Sequence, residues 1–417
     1  MSSFDARIES EIGRLRRVVI HTPGREIESM SPRTASQVLY HDIIPLSVVS
    51  GEHAVLKRFL SLVARVDEVT DLLAEALADP GQRELLVNAV CGEDPAARRI
   101  AELLEERPER LVTMLVNGLA ARRETLSDLL YGPEHDLPPL ANLYFMRDSS
   151  FVVRDRVVVG AMAHRVRSGE AMLLRSIFGS SIVVNAGILY DGCEEAGRRA
   201  DVRIEGGDVL VVRRDLLVVG VSERTSAAAI DELSRRLVES TGEPLSVIVV
   251  LLPHDRSTIH LDMVFTLLDP ETALVYEPHV TGPRRLEVYR MRLAPGATTR
   301  FEKCDGLIAA LAAEGEHLRT IACGGRDPVV REREQWLSAA NVFAFAPGKI
   351  VGYDCNVATM QAFSEAGYAV HPAEDFVEGR RSADSYERLF VGIPGVNLAR
   401  GGGGPRCMTL PVVRDPV

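Results

Sequence analysis

The sequence predicts a mixed α/β protein in which a hairpin-plus-helix unit is repeated around an axis to give a propeller-like closed fold. Three observations predict it. Four segments share one shape, an apolar run, a short polar turn and a second apolar run: "SFVVRDRVVVG" (150–160), "DVLVVRRDLLVVG" (208–220), "DMVFTLLDPETALVYEP" (262–278) and "NVFAFAPGKIVGY" (341–353). Each reads as a β-hairpin. Helical or mixed segments such as "SAAAIDELSRRLVES" and "FEKCDGLIAALAAEG" separate them, so the pattern is one of radial repetition. The chain also finishes on "MTLPVV", an apolar run where a frayed polar tail is usual. A terminal strand has to pair, and the N-terminal run "LRRVVIHTP" (15–23) is its natural neighbour.

Between residues 51 and 135 the texture changes. "AVLKRFLSLVARV", "DLLAEALAD" and "AARRIAELLEERPERLVTMLVNGLAARRETLSDLLYG" carry apolar residues at helical spacing with charges between them. This span is expected to be a helical insertion, closed by the breakers of "GPEHDLPPL". The expected organisation is therefore a catalytic unit made of residues 1–50 and 136–417, interrupted by 51–135.

Bulk composition excludes several function classes. The chain has 417 residues, a net charge of −11 and no basic block, which argues against a nucleic-acid partner. No apolar run approaches the ~18 residues of a membrane span. "MSSFDARIESEIGRLRRVVIH" has no apolar h-region, so a signal peptide is not expected. The six cysteines are scattered without C-x-x-C spacing, which disfavours a disulfide framework and a structural zinc site. A reduced, cytoplasmic protein is expected.

Polar residues at the hairpin entries sharpen the reading. "FMRDS" places Asp148 before the first hairpin, and "IEGGD" places Glu205 and Asp208 before the second. "HLD" opens the third with His260 and Asp262. Equivalent ends of radial units face one axis, so these groups are expected to converge. His260 and Asp262 sit at i and i+2, on one face of an expected strand. Cys407, after the glycines of "RGGGGPRCM", joins them as a candidate nucleophile, although a lone thiol is also readily a small buried hydrophobe. Asp208 alone equally reads as a turn residue bonding backbone. "GVSERTS" presents Arg224, and "AHRVRSGE" presents Arg165 and Arg167, after successive hairpins. Surface arginines usually face solvent, but two at equivalent ends also suit bidentate capture of a carboxylate. Taken jointly, acids for a planar cation and arginines for a carboxylate fit a guanidino amino acid.

The chain resembles the arginine deiminases of the guanidino-group-modifying superfamily. The likeness rests on "EIGRLRRVVIHTPGREI", the helical insertion, "NLYFMRD", "EGGD", "GVSERTS", "HLDMVF" and "GGGGPRCM", in that order along nearly the whole chain. It implies a five-bladed pseudo-symmetric α/β propeller of ββαβ units. It also implies hydrolysis of L-arginine to L-citrulline and ammonia through a thiouronium intermediate, as in arginine catabolism, with no metal or organic cofactor. By the resemblance, Cys407 is the nucleophile, His260 the acid/base and Glu205 its aid, while Asp148 and Asp262 hold the guanidinium. Asn142, Asp208, Arg167 and Arg224 match positions that bind the amino acid end, with Arg165 a rival for Arg167. The family also suggests homo-oligomers. One position departs: where many members carry an arginine five residues before the cysteine, this chain has Gly402. That departure keeps a related guanidine-modifying enzyme in view, either an amidinotransferase or a modified-arginine hydrolase. A non-catalytic arginine-binding propeller would have no use for the thiol.

Overall fold

Apolar runs broken by a short polar turn fold as antiparallel hairpins in this computed structural model, which describes residues 3–92, 96–199 and 201–417. Near the N-terminus, β1 (Leu15–Ile20) pairs in parallel with β2 (Arg65–Glu68), and β3 (Leu119–Ala120) forms a short ribbon with β4 (His135–Leu137). The first expected hairpin is β5 (Ser150–Val153) and β6 (Arg156–Val159), followed by β7 (Ile188–Asp191) in parallel with β6. The second is β8 (Val209–Arg213) and β9 (Leu216–Val221), with β10 (Leu245–Leu251) in parallel beside β9.

The third hairpin, β11 (Phe265–Asp269) with β12 (Thr272–Val275), precedes β13 (Val288–Leu293) and β14 (Arg300–Cys304), which extend the previous sheet beyond β10. Strand β15 (Arg319–Ala322) then lies parallel to β12. The fourth hairpin, β16 (Phe343–Ala346) and β17 (Lys349–Tyr353), is joined by β18 (Ala369–Pro372) and β19 (Leu389–Ile393), with β19 parallel to β17. Finally β20 (Leu410–Arg414) runs antiparallel to β1.

Five sheets thus share one plan, an antiparallel pair and then a parallel strand. Parallel neighbours need a crossover, and each has one. The helices Ser168–Phe178, Ala227–Thr241, Leu307–Ala312 and Val357–Glu365 lie between the second and third strands of four sheets. The fifth sheet, β20-β1-β2, has the same order but is built from both ends of the chain, with the helix Leu46–Val63 as its crossover. The expected boundary at 51 falls inside that helix, whose apolar spacing continues through Gly51, and β2 lies within the 51–135 span. "RVDE" is too short and too polar to read as a strand.

The inner strands are apolar on both faces. Val157, Val158 and Val159 in β6, and Leu217, Val218 and Val219 in β9, are almost wholly buried. Each such side chain contributes about 1.5–3 kcal/mol by leaving water. Leu72, Leu73, Leu111 and Leu115 of the helical segment share one apolar cluster with Val157 and Leu174, and the helices Val69–Ala76 and Pro80–Cys91 pack against the crossover helix Ser168–Phe178 of the first sheet. Among the described residues, no helix is long and apolar enough to cross a membrane.

Candidate active site

The hairpin entries meet at a cavity of about 250 Å³. Asp148 reaches it from the short helix Met146–Ser149, which ends where β5 begins. His260 caps the 3-10 turn Leu261–Met263. The sequence suggested a strand at "HLD" with both side chains on one face. A tight turn occurs instead, because the Asp208 carboxylate accepts the Leu261 N–H (2.9 Å) and draws the backbone round.

Cys407 follows the glycine run, and Asn341 holds it there. Asn341 Oδ1 accepts the N–H groups of Gly404 and Cys407 at 3.1 and 3.0 Å. Glycines are required in this loop. A Cβ on Gly403 would stand 2.9 Å from the Cys407 Cβ, and one on Gly401 would strike the Tyr144 hydroxyl. Gly207 plays the same part opposite, since a Cβ there would lie 2.6 Å from the His260 ring.

The charges form a connected set. His260 Nε2 lies 2.9 Å from Glu205 Oε2, and its Nδ1 lies 3.6 Å from Asp148 Oδ1. Burial raises the Glu205 carboxyl, but the His260 hydrogen bond and the charges of Arg224, His260 and Arg167 outweigh it and hold the group at about 2. For His260 burial lowers the pKa, yet the Asp148 charge and the Glu205 hydrogen bond bring it up to about 9. The pair is therefore imidazolium and carboxylate at neutral pH. Cys407 Sγ donates to Asp262 Oδ2 at 3.7 Å. Burial, then the negative charges of Asp262 and Asp148, push this thiol well above its ordinary value, so the free site holds it protonated.

Three polar atoms in this set, Asp148 Oδ1, Asp262 Oδ1 and His260 Nδ1, are buried without a hydrogen-bond partner. Such groups cost about 1–3 kcal/mol each. A flat ligand with several N–H donors would meet the need of the two carboxylate oxygens.

Not every residue singled out in the sequence faces the cavity. Asn142, Asp148, Arg167, Arg224, His260 and Cys407 line it. Glu205 stands behind His260, and Asp262 behind Cys407. Asp208 is turned away: its oxygens accept from the Ser222 hydroxyl (2.6 Å) and Leu261 N–H, and burial pushes it up to about 6. Arg167 and Arg165 separate. Arg167 lines the cavity, with Nη1 2.6 Å from Asp148 Oδ2 and Nη2 2.7 Å from Glu170. Arg165 lines a second cavity beside the helical segment, with Leu137 and Met172.

Sequence reasoning missed Asn341 and Arg406. Asn341 opens the fourth hairpin as Asp148 opens the first, so the repeat itself would have found it. Arg406 stands beside the thiol in "GGGGPRCM". Its Nη1 donates to Asp262 Oδ2 at 2.7 Å, and its Nη2 lies 3.2 Å from Glu11 Oε1.

Asp148, Glu205 and His260 also present three ligand atoms within 4.8 Å of one another, a spacing that would suit a metal ion. A cation already sits there, with Arg167 Nη1 2.6 Å from Asp148 and 3.8 Å from Glu205. The local carboxylate charge is met by guanidinium and imidazolium groups.

Known proteins share this frame. Solved structures match it across most of the chain. The N-terminal domain of ArgZ, solved with a covalently bound reaction intermediate, gives a TM-score of 0.52 at 13% identity, covering 95% of this chain and 98% of that one. A DDAH from Pseudomonas aeruginosa in complex with citrulline gives 0.50 at 14%, covering 95% and 99%. At these identities the likeness establishes the mixed α/β fold. Closer in sequence are the arginine deiminases of Mycobacterium bovis, 32% identical over 424 residues, and Limosilactobacillus reuteri, 30% over 425, each match covering 98% of both chains. The arginine deiminase family profile matches residues 36–414. On the extent of that match and of the relatives' overlap, this chain belongs to the arginine deiminase family.

Proposed function

We propose that this protein hydrolyses L-arginine to L-citrulline and ammonia through a thiouronium on Cys407. The observation that carries the proposal is the ring of unpartnered buried atoms, Asp148 Oδ1, Asp262 Oδ1 and His260 Nδ1, around one buried thiol. A guanidinium offers planar N–H donors to each carboxylate and presents its face to sulfur. The five sheets, on this reading, are blades of one propeller, and the helices after β2 are an insertion into it.

In the reaction, the two aspartates fix the guanidinium plane. Its positive charge offsets theirs and lowers the Cys407 pKa, so the thiol releases its proton to solvent and the thiolate forms when substrate is present. Sulfur attacks the central carbon, and the tetrahedral adduct collapses with C–N cleavage. His260 gives its proton to the leaving nitrogen, which departs as ammonia. His260, now neutral and held by Glu205, takes a proton from water. The hydroxide adds to the thiouronium carbon, the C–S bond breaks as the new hydroxyl gives up its proton to sulfur, and citrulline leaves with the thiol restored. Arg224 and Asn142 line the same cavity and are assigned to the amino acid end. Arg167 keeps Asp148 oriented, and Asp208 acts on the backbone of the His260 turn.

The test is stoichiometric release of ammonia and citrulline from L-arginine, with acid-quenched protein weighed for an adduct on the peptide containing Cys407. Release of ammonia without citrulline, or only in the presence of an acceptor amine, would overturn hydrolysis in favour of transfer.

A further inference from the structure

Three arginines line the cavity, and two of them already lie against carboxylates. Arg167 is held by Asp148 and Glu170. Arg224 Nη1 leans on Glu205 Oε2 at 3.5 Å. The third, Arg256, belongs to the 3-10 turn Arg256–Thr258, which leads from β10 toward His260. No carboxylate of the described residues pairs with its guanidinium. That group lies over the face of Trp336, 5.3 Å from the ring centroid. It also reaches the glycine loop, where a Cβ on Gly402 would lie 3.6 Å from Arg256 Nη2.

A half-buried guanidinium that no described carboxylate pairs with, on the wall of a site whose carboxylates are already met by cations, is poised for an anion. We propose that Arg256 binds the α-carboxylate of the substrate, and so selects amino acids over decarboxylated guanidines. The inference rests on the guanidino-substrate reading above. Gly402 is what makes room: a longer side chain at 402 would compete with Arg256 for this space, and the positive φ of 97° disfavours any side chain there. The aromatic face of Trp336 fixes one side of the guanidinium and leaves its N–H edge for a two-oxygen acceptor.

Arg256→Met preserves bulk over Trp336 and removes the charge. It is expected to raise KM for L-arginine about tenfold or more while kcat stays within about threefold, the pattern of lost ground-state binding. KM or Kd for agmatine, which has the guanidinium without the carboxylate, is expected to stay within about twofold. Arg256→Lys should recover part of the loss. The chain has one tryptophan, so binding at Arg256 has its own optical report. In the Cys407→Ala protein, L-arginine should change Trp336 fluorescence and agmatine should not, and Arg256→Met should abolish the L-arginine signal. L-Arginine affinity unchanged in Arg256→Met, or equal losses for arginine and agmatine, would overturn the assignment. The two ideas fail separately: absence of turnover by the unmodified protein counts against hydrolysis, whereas the fluorescence titration decides Arg256 without turnover.

Discussion

Arg406 Nη1 donates to Asp262 Oδ2 across 2.7 Å, while Asp262 Oδ1 has no hydrogen-bond partner. The residue next to the thiol in the chain thus ties up one oxygen of the carboxylate behind that thiol, and the other stays unpaired among the described residues. Both groups are almost wholly buried. Burial lowers the Arg406 guanidinium, but the charges of Glu11 and Asp262 outweigh it and carry it above its usual value. Arg406→Met strips these two carboxylates of their main cation. Breaking a buried pair from one side costs about 3–5 kcal/mol, which urea unfolding will read as a lower midpoint with an unchanged slope.

Removing the sulfur should separate chemistry from fold. Cys407→Ala deletes one atom from a site that holds the thiol protonated, so the thermal midpoint is expected to stay within a few degrees. Ammonia release should drop by at least about 10³-fold. A variant at position 407 with wild-type turnover would refute the nucleophile assignment.

Thiol reactivity gives a sharper view of the same group. Because burial and two aspartates push Cys407 far up, iodoacetamide should label it slowly in the free protein until the pH is well into the alkaline range. A cationic chloroacetamidine brings the compensating charge and should label Cys407 faster at neutral pH. Peptide mapping distinguishes it from Cys193 and Cys323, both pushed up to about 12, mainly by burial. Equal rates for the two reagents would contradict the electrostatic account.

The pH profile should report His260. Its pKa is raised in the folded protein, to about 9, from an ordinary value of about 6.5. The protonated imidazole donates to the leaving nitrogen, so kcat/KM should fall as pH rises through about 9. Stability follows the same sign. The contribution of His260 is complete below about pH 6.5 and lost as the pH climbs through the folded value, while that of Glu205, held at about 2, is lost as the pH falls from its ordinary 4.5 toward that value. Glu205→Gln removes an anionic partner, and the alkaline limb should move to lower pH.

Gly207 carries the last prediction. A methyl group there would lie 2.6 Å from the imidazole and 3.0 Å from Asp148 Oδ1, so Gly207→Ala must displace His260. A shift of this size is expected to lower kcat by about 10²-fold, measured as initial rates at saturating L-arginine.

How far the sequence discloses this molecule depends on how local each signal is. Hairpins β5–β6, β8–β9, β11–β12 and β16–β17 are legible because each is an apolar run, a turn and a second run in consecutive residues. Their parallel partners are harder to read: β7 and β15 are four residues each, and their pairing is set by a crossover rather than by a turn. The convergence of Asp148, Glu205, His260, Asp262 and Cys407 follows from their places at equivalent ends of repeated units. What could not be read was direction. Asp208 resembles a site acid until its two oxygens are seen bonded to Ser222 and Leu261. Arg165 and Arg167 flank one valine, and the turn Arg165–Arg167 sends them to different cavities. Arg256 carries no motif, and what singles it out is that no carboxylate of the described residues pairs with its guanidinium.

The pairing of β20 with β1 joins residues almost four hundred positions apart, and it sets an order of events in biosynthesis. Synthesised in chain order, Asp148, Glu205 and Asp262 are made before the sulfur of Cys407 and the Arg406 guanidinium that accompany them. On the proposed mechanism, competence therefore waits for one pairing, that of β20 with β1, and a chain stopped short of residue 407 lacks the thiol that attacks.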